Sequence, residues 1–339
     1  MPLDYFTGFL LVLAAGVFQG TFMLPMKFTR RWAWENTWLV FATTAYLVWP
    51  WTLALTTLPH LGEVYASTSA RSLLLVALFG VGWGLGTLTF GLGVDKLGLA
   101  LGFAVIIGLT AAIGSLIPLV VLSPEKLGQP QGLWTIAALV LVLIGIALCS
   151  WAGKLRDVAL NPGKTAQHHS YALGLAICIA SGLLSACGNL GFAFGGEVIQ
   201  KAITQGAAES LAGNSLWALI TVPLFLCNAV YCARLLKKRG TGPLFFRSET
   251  RYYWILSPLM GALWIAGFVC YAPGARRLGS LGTSVGWSVM MSTMVMTANL
   301  WGLLTGEWRG ASRRALRFLI AGVVILMLAI CVVGYANHK

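Results

Sequence analysis

Uncharged polar and aromatic side chains occur in the middle of long apolar stretches of this sequence. A polar group inside a bilayer is costly, so each one nominates a site. Amides pair with hydroxyl groups and an aromatic plane covers an apolar C–H face, so the set favours an uncharged, hydroxyl-rich molecule such as a sugar. The candidate binding residues are Gln19, Trp83, Thr87, Asn189, Trp264, Tyr271, Trp287 and Asn299. For each residue, the alternative is a helix–helix hydrogen bond or an interfacial Trp.

Ionisable side chains avoid the centres of the apolar stretches and lie near their ends or in the connections. A site for an anionic molecule would be expected to show Arg or Lys at depth, and none occurs there. The candidates for a gate or for ion coupling are Lys27, Glu35, Asp95 and Glu307. A cytoplasmic anchor is the alternative for the basic and aromatic loop that contains Lys27 and Glu35.

No pattern in the sequence is typical of catalysis or of metal binding. His168 and His169 form the only His cluster, and it lies in a polar loop without an acidic companion. The seven Cys lie within apolar stretches and form no CxxC pair, which is typical of small hydrophobic residues in helices. We therefore expect no enzyme activity, no metal site and no cofactor.

The composition is that of an integral membrane protein. Of the 339 residues, 58% are hydrophobic and 10% are charged, whereas a soluble domain carries about 25% charged residues. The mean hydropathy of +0.81 agrees. The net charge of +13 comes from short loops between apolar runs, where positive charge marks the cytoplasmic side, so we expect contact with a lipid bilayer and none with nucleic acid.

The apolar runs predict an all-α protein with ten transmembrane helices, since about 20 apolar residues are needed to cross the hydrocarbon core. The predicted spans are 5–26, 37–58, 72–94, 98–121, 133–153, 172–195, 211–233, 253–274, 281–305 and 316–335. Most of the 23 Lys and Arg residues follow odd-numbered spans. This bias places those connections in the cytoplasm and both termini outside.

The two halves of the chain resemble one another. A shift of 181 residues superimposes eight positions on identical or similar residues: Gly80, Trp83, Gly86, Phe90, Gly93, Lys96, Leu97 and Gly98 match Gly261, Trp264, Gly267, Tyr271, Gly274, Arg277, Leu278 and Gly279. We predict a first five-helix repeat over 1–155, a cytoplasmic linker over 156–171 and a second repeat over 172–339. Because five is odd, the second repeat enters the membrane in the opposite direction, as in many transporters.

The loops carry a resemblance to a known family. Pro25-x-Lys27, Trp32-Ala-Trp34-Glu35-x-x-Trp38, Pro50-Trp51, Trp83-Gly84, the Gly98-to-Pro118 helix and Glu307-Trp308-x-x-x-x-Arg313-Arg314 stand in the order of the spans. The sequence resembles the bacterial L-rhamnose–proton symporter family of the drug/metabolite transporter superfamily. That resemblance implies ten helices in a five-plus-five arrangement. It also implies uptake of a deoxy sugar, with a proton as coupling ion, across the bacterial inner membrane.

One region leaves an alternative open. The predicted span over 281–305 has no ionisable side chain. A facilitator or exporter of another small metabolite of the same superfamily is therefore the alternative to a sugar symporter.

Overall fold

The computed structural model describes residues 3–97, 99–160 and 171–336, and within these ranges it contains helices and no strand. The helices of the first half are α1 (Leu3–Thr21), α2 (Trp34–Ala42), α3 (Trp49–Thr57), α4 (Leu61–Ser67), α5 (Ala70–Leu97), α6 (Leu99–Leu122) and α7 (Pro130–Leu160). Those of the second half are α8 (Tyr171–Ser185), α9 (Cys187–Phe194), α10 (Gly196–Thr204), α11 (Gly213–Arg239), α12 (Tyr253–Arg277), α13 (Gly282–Leu304) and α14 (Arg313–Ala336). The all-α prediction is confirmed.

Nine helical segments in the described ranges are long and apolar enough to cross a membrane. In lipid, the backbone of a spanning segment must satisfy its own hydrogen bonds, which an α-helix does. A π-helical turn over Thr43–Val48 joins α2 and α3 into one span. The predicted span that is missing from the nine is α13, whose Ser, Thr and Asn residues lower its hydropathy.

The sequence did not predict two short helices in the connections. Helix α4 precedes α5, and α10 follows the α8–α9 span. The backbone N–H and the hydroxyl of Ser69 both donate to the carboxylate of Glu197 in α10, each at 2.7 Å. The predicted linker over 156–171 begins inside α7, and its residues 161–170 lie outside the described part of the chain.

The long helices form two bundles, each of which mixes helices from both halves of the chain. In the first bundle, α1 packs against α12 and α13; in the second bundle, α8 packs against α5 and α6. Helix α7 packs against α14 beside them. We call the surface where the two bundles meet, with α5 and α6 on one side and α12 and α13 on the other, the seam.

Glycines allow the close helix contacts inside each bundle, as is common in membranes. A Cβ atom on Gly86 of α5 would lie 2.6 Å from the backbone nitrogen of Ser185 in α8. A Cβ atom on Gly267, the matching residue of α12, would lie 2.6 Å from Nε2 of Gln19 in α1. The same repeated position therefore lies against a neighbouring helix in both bundles, against backbone in one and against a side chain in the other.

Candidate functional site

The two indoles that the shift of 181 residues superimposes meet across the seam. The ring centroids of Trp83 in α5 and Trp264 in α12 are 5.5 Å apart, and the two side chains are only 7% and 5% exposed. Phe268 contacts both rings, with centroid distances of 5.3 Å to Trp83 and 4.6 Å to Trp264. The predicted pair of aromatic planes thus lies at one place, where helices of the two bundles touch.

Gln19 reaches the same aromatic cluster from α1. Its Nε2 atom donates to the backbone carbonyl of Trp264 at 2.9 Å. The missing side chain of Gly267 leaves room for this amide. Because Gln19 and Trp264 both belong to the first bundle, the bond fixes one side of the seam.

An amide and a phenol connect the two bundles. Tyr271 Oη of α12 donates to Asn189 Oδ1 of α9 at 2.5 Å. Asn189 Nδ2 donates to the carbonyl of Gly114 in α6 at 2.7 Å and to that of Thr283 in α13 at 3.1 Å. An Asn amide has two N–H donors and one acceptor oxygen, and all three functions are used here. The pair therefore links α12 and α13 of the first bundle to α6 and α9 through hydrogen bonds.

Trp287 makes a further contact across the seam. Its Nε1 donates to the carbonyl of Thr110 in α6 at 3.0 Å, and its ring lies against Tyr271 with a centroid distance of 5.8 Å. Five of the eight predicted binding residues therefore lie on the seam. They are Trp83, Asn189, Trp264, Tyr271 and Trp287.

Thr87 belongs to a separate polar cluster. Asn228 Nδ2 of α11 donates to Thr87 Oγ1 at 3.1 Å. Trp38 Nε1 of α2 donates to Asn228 Oδ1 at 2.9 Å. This cluster ties α5 to the flanking helices α2 and α11, so Thr87 is held by groups that do not belong to the seam set.

Asn299 lies apart from the other predicted binding residues, three helical turns beyond Trp287 along α13. It lines a cavity of about 220 Å³ together with Arg156, Glu307 and Trp308. The structure therefore divides the predicted set between the seam, the Thr87 cluster and this cavity.

The predicted gate residues form two ionic clusters. Lys27 pairs with Glu307, and the same carboxylate lies 3.4 Å from the guanidinium of Arg156 at the end of α7. The fully buried carboxylate of Glu35 accepts from Arg239 at 3.0 Å and from the hydroxyl of Thr241 at 2.8 Å.

The remaining gate candidate, Asp95, has its backbone in α5, but its side chain lies outside the described part of the structure. In the same described ranges, no group of three or more His, Cys, Asp or Glu side chains could hold a metal ion.

Comparison with known proteins identifies the family. Residues 5–338 match the family described as L-rhamnose-proton symport protein. The chain belongs to this family. It is 29% identical, over 92% of both sequences, to the L-rhamnose-proton symporters of Pectobacterium atrosepticum and Yersinia pestis. Membership confirms the resemblance read from the loop motifs. It also places the chain among multi-pass membrane transport proteins and not among enzymes.

Two buried polar groups without a partner among the described residues lie outside the predicted set, and one of them, Trp217, contacts the aromatic cluster of the seam. The indole of Trp217 in α11 stacks on Phe192 at 5.3 Å and lies 4.8 Å from Phe268. Its Nε1 atom is buried without a hydrogen-bond partner among the described residues. The hydroxyl of Ser115 in α6 is buried and unpaired in the same sense. A single Trp or Ser in an apolar run carries no signal that separates it from a packing residue.

Proposed function

We propose that this protein carries L-rhamnose, or a closely related deoxy sugar, into the bacterial cell together with protons. The observation that carries the proposal is the family match over almost the whole chain. The seam supports the proposal, because the seam brings aromatic faces together with neutral amide and hydroxyl groups. A facilitator or exporter of another metabolite is less well supported, because the curated relatives are named as L-rhamnose-proton symporters.

The sugar would bind on the seam between Trp83 and Trp264, where a deoxy sugar could place its C–H face on an indole. Its hydroxyl groups would exchange with the bond between Tyr271 and Asn189. The unpaired Nε1 of Trp217 would supply a further donor. Gln19 would position Trp264 from behind. A buried unpaired N–H is destabilising, and a bound hydroxyl would remove that cost.

For the membrane topology, we propose that α13 is the tenth span and that 1–155 and 172–339 are inverted repeats. Helix α13 has 23 residues and no ionisable side chain, which suits a span that faces the substrate path. The matching contacts of Gly86 and Gly267 support the repeat. From the charge bias of the loops we infer that both termini lie on the periplasmic side of the inner membrane.

Alternating access would follow from rocking of the two bundles about the seam. Contacts such as Glu307 with Arg156 would close its cytoplasmic end. The ion pair between the buried Glu35 and the exposed Arg239 would hold the loops beside it. We assign proton coupling to Glu307, because its carboxylate faces both Lys27 and Arg156, and neutralising it would break both ion pairs. Asp95 stays a further candidate for this role.

The experiment is uptake of labelled L-rhamnose into proteoliposomes, with and without an inward proton gradient. Accumulation that depends on the gradient and disappears with a protonophore supports the proposal. Equilibration without accumulation would indicate the facilitator. Absence of uptake by folded protein would contradict the L-rhamnose assignment. Gly91→Ala, whose added methyl group meets open space, serves as the control and should take up L-rhamnose as the wild-type chain does.

A further inference from the structure

A cavity of about 220 Å³ lies where α6, α7 and α13 face one another. We call it the inner vestibule. The helix α6 belongs to the second bundle and α13 to the first, so the inner vestibule is a cleft between the bundles. Its lining residues are Phe103, Cys149, Ser150, Gly153, Arg156, Val295, Ala298, Asn299, Glu307 and Trp308.

Two buried donors in this lining have no partner in the described ranges. They are the hydroxyl of Ser150 and the Nε1–H of Trp308. These two residues are only 8% and 6% exposed. Leaving a buried donor unpaired is destabilising. Asn299 lies beside them and uses its Nδ2 within its own helix, on the carbonyl of Val295 at 2.8 Å. The cavity therefore presents neutral hydrogen-bonding groups.

The charges of the lining balance one another. Arg156 lies 3.4 Å from the carboxylate of Glu307 and pairs with Asp157 at 2.8 Å. Its guanidinium also lies 5.0 Å from the centre of the Trp308 ring. A cation with carboxylate and aromatic partners offers little attraction to a further anion. The lining thus favours a neutral ligand whose hydroxyl groups accept from Ser150 and Trp308.

We propose that the inner vestibule is a second sugar site, which the substrate occupies between the seam and the cytoplasm. The inference rests on the proposed function and adds a site to it. Phe103, Val295 and Ala298 would contact the C–H groups of the sugar. Glu307 also lines a cavity of about 340 Å³ with Lys27 and Thr305. The ionic cluster around Glu307 therefore lies between the inner vestibule and the cavity that Lys27 and Thr305 line.

The test places a thiol in the cavity through Gly153→Cys. An added Cβ at Gly153 meets nothing within 4 Å, and the same is true of Gly91 in α5, outside the cavity. Gly91→Cys is therefore the matched control. N-ethylmaleimide is added to proteoliposomes with or without saturating L-rhamnose, and mass spectrometry follows alkylation at each cysteine. Uptake by the wild-type chain is measured in the same preparation.

We expect L-rhamnose to slow alkylation at Gly153→Cys and to leave Gly91→Cys unchanged. Adding Trp308→Phe or Ser150→Ala, each of which removes one donor, should raise the sugar concentration needed for protection roughly fivefold. The expected result is the same if wild-type uptake is uncoupled from protons.

Vesicles that take up L-rhamnose but show no protection at Gly153→Cys would overturn the inner vestibule and leave the proposed function standing. Protection with unchanged sugar dependence in both donor variants would also overturn it, because the effect would come from elsewhere. Absence of both uptake and protection would overturn the two proposals together.

Discussion

Helices α5 and α12 repeat the same spacing of Gly and Trp, yet they make different polar contacts. Gly86 and Gly267 each admit a neighbouring helix, and Trp83 and Trp264 meet at the seam. Seven positions after each Trp, however, α5 carries Phe90 where α12 carries a tyrosine. Shared positions therefore build the scaffold in both halves.

The positions that differ are the ones that make polar contacts. Phe90 packs edge-to-face on Phe103 at 5.7 Å, whereas Tyr271 donates to Asn189 across the seam. Conversely, Thr87 of α5 is bonded to Asn228, and its match in α12 is the aromatic Phe268. Two helices with matching Gly and Trp positions can thus differ in the polar contacts that they make.

Gly86→Ala should break the scaffold most severely. The added methyl group meets the backbone of Ser185, which cannot move without shifting α8, and we expect a loss of about 2–3 kcal/mol of stability. Gly267→Ala meets the side chain of Gln19 first, which can move by giving up its bond to Trp264, and should cost less. Thermal unfolding in detergent measures both, with Gly91→Ala as the control that should be neutral or stabilising. Equal losses at the two glycines would contradict this distinction.

Tyr271→Phe tests the polar difference. It removes the hydroxyl and leaves Asn189 Oδ1 buried without its donor, which costs about 1–2 kcal/mol. We expect L-rhamnose uptake to fall by roughly tenfold. The reverse change in the other half, Phe90→Tyr, is the matched control and should affect uptake much less. A larger effect of Phe90→Tyr than of Tyr271→Phe would contradict the assignment of the functional polar group to Tyr271.

Glu35 and Glu307 are both ion-paired carboxylates, but substituting them should change different properties. We expect the stability to depend on Glu35 and the proton coupling on Glu307. Glu35 is fully buried, so Glu35→Gln should lower the unfolding temperature by weakening its bond to Arg239.

Glu307 is partly exposed between Lys27 and Arg156. Glu307→Gln should leave stability nearly unchanged and make L-rhamnose equilibrate without accumulating. Retained accumulation in Glu307→Gln would move the coupling role to another residue.

Thr87→Val should have the smallest effect. It removes an acceptor from Asn228, whose amide keeps its bond to the carbonyl of Leu224 at 2.9 Å. We expect a loss of about 1 kcal/mol or less in stability and a small change in uptake. A complete loss of uptake in folded Thr87→Val protein would bring this cluster into the substrate site.

Sequence reasoning predicted the long helices well, because an apolar run of fixed length has one solution in lipid. It missed α4 and α10, which lie in short polar connections without a membrane-length signal. It also missed the break between α8 and α9 at Ala186, because local backbone geometry there follows from packing. The loop motifs were sufficient to predict the family.

The site was predicted only in part. Asn189 and Tyr271 were both named, but their mutual bond depends on how α9 and α12 cross, which no local pattern encodes. The sequence does not separate Asn299 from them, because it gives the depth of a residue along a helix and not the helices that it faces. Trp217 and Asn228 were missed because each is a single residue in an apolar stretch, where packing is the commoner role.

A cross-link at the end of the seam opposite Glu307 tests most directly whether the two bundles move about the seam. The hydroxyl of Ser123, after α6, donates to the carbonyl of Ser280, before α13, at 3.4 Å. Ser123→Cys combined with Ser280→Cys should form a disulfide on oxidation, verified by mass spectrometry, with each single variant as control. If the bundles rock about the seam, the oxidised double variant should take up no L-rhamnose, and reduction should restore uptake. Uptake by the cross-linked chain at the rate of the reduced chain would contradict alternating access at this seam.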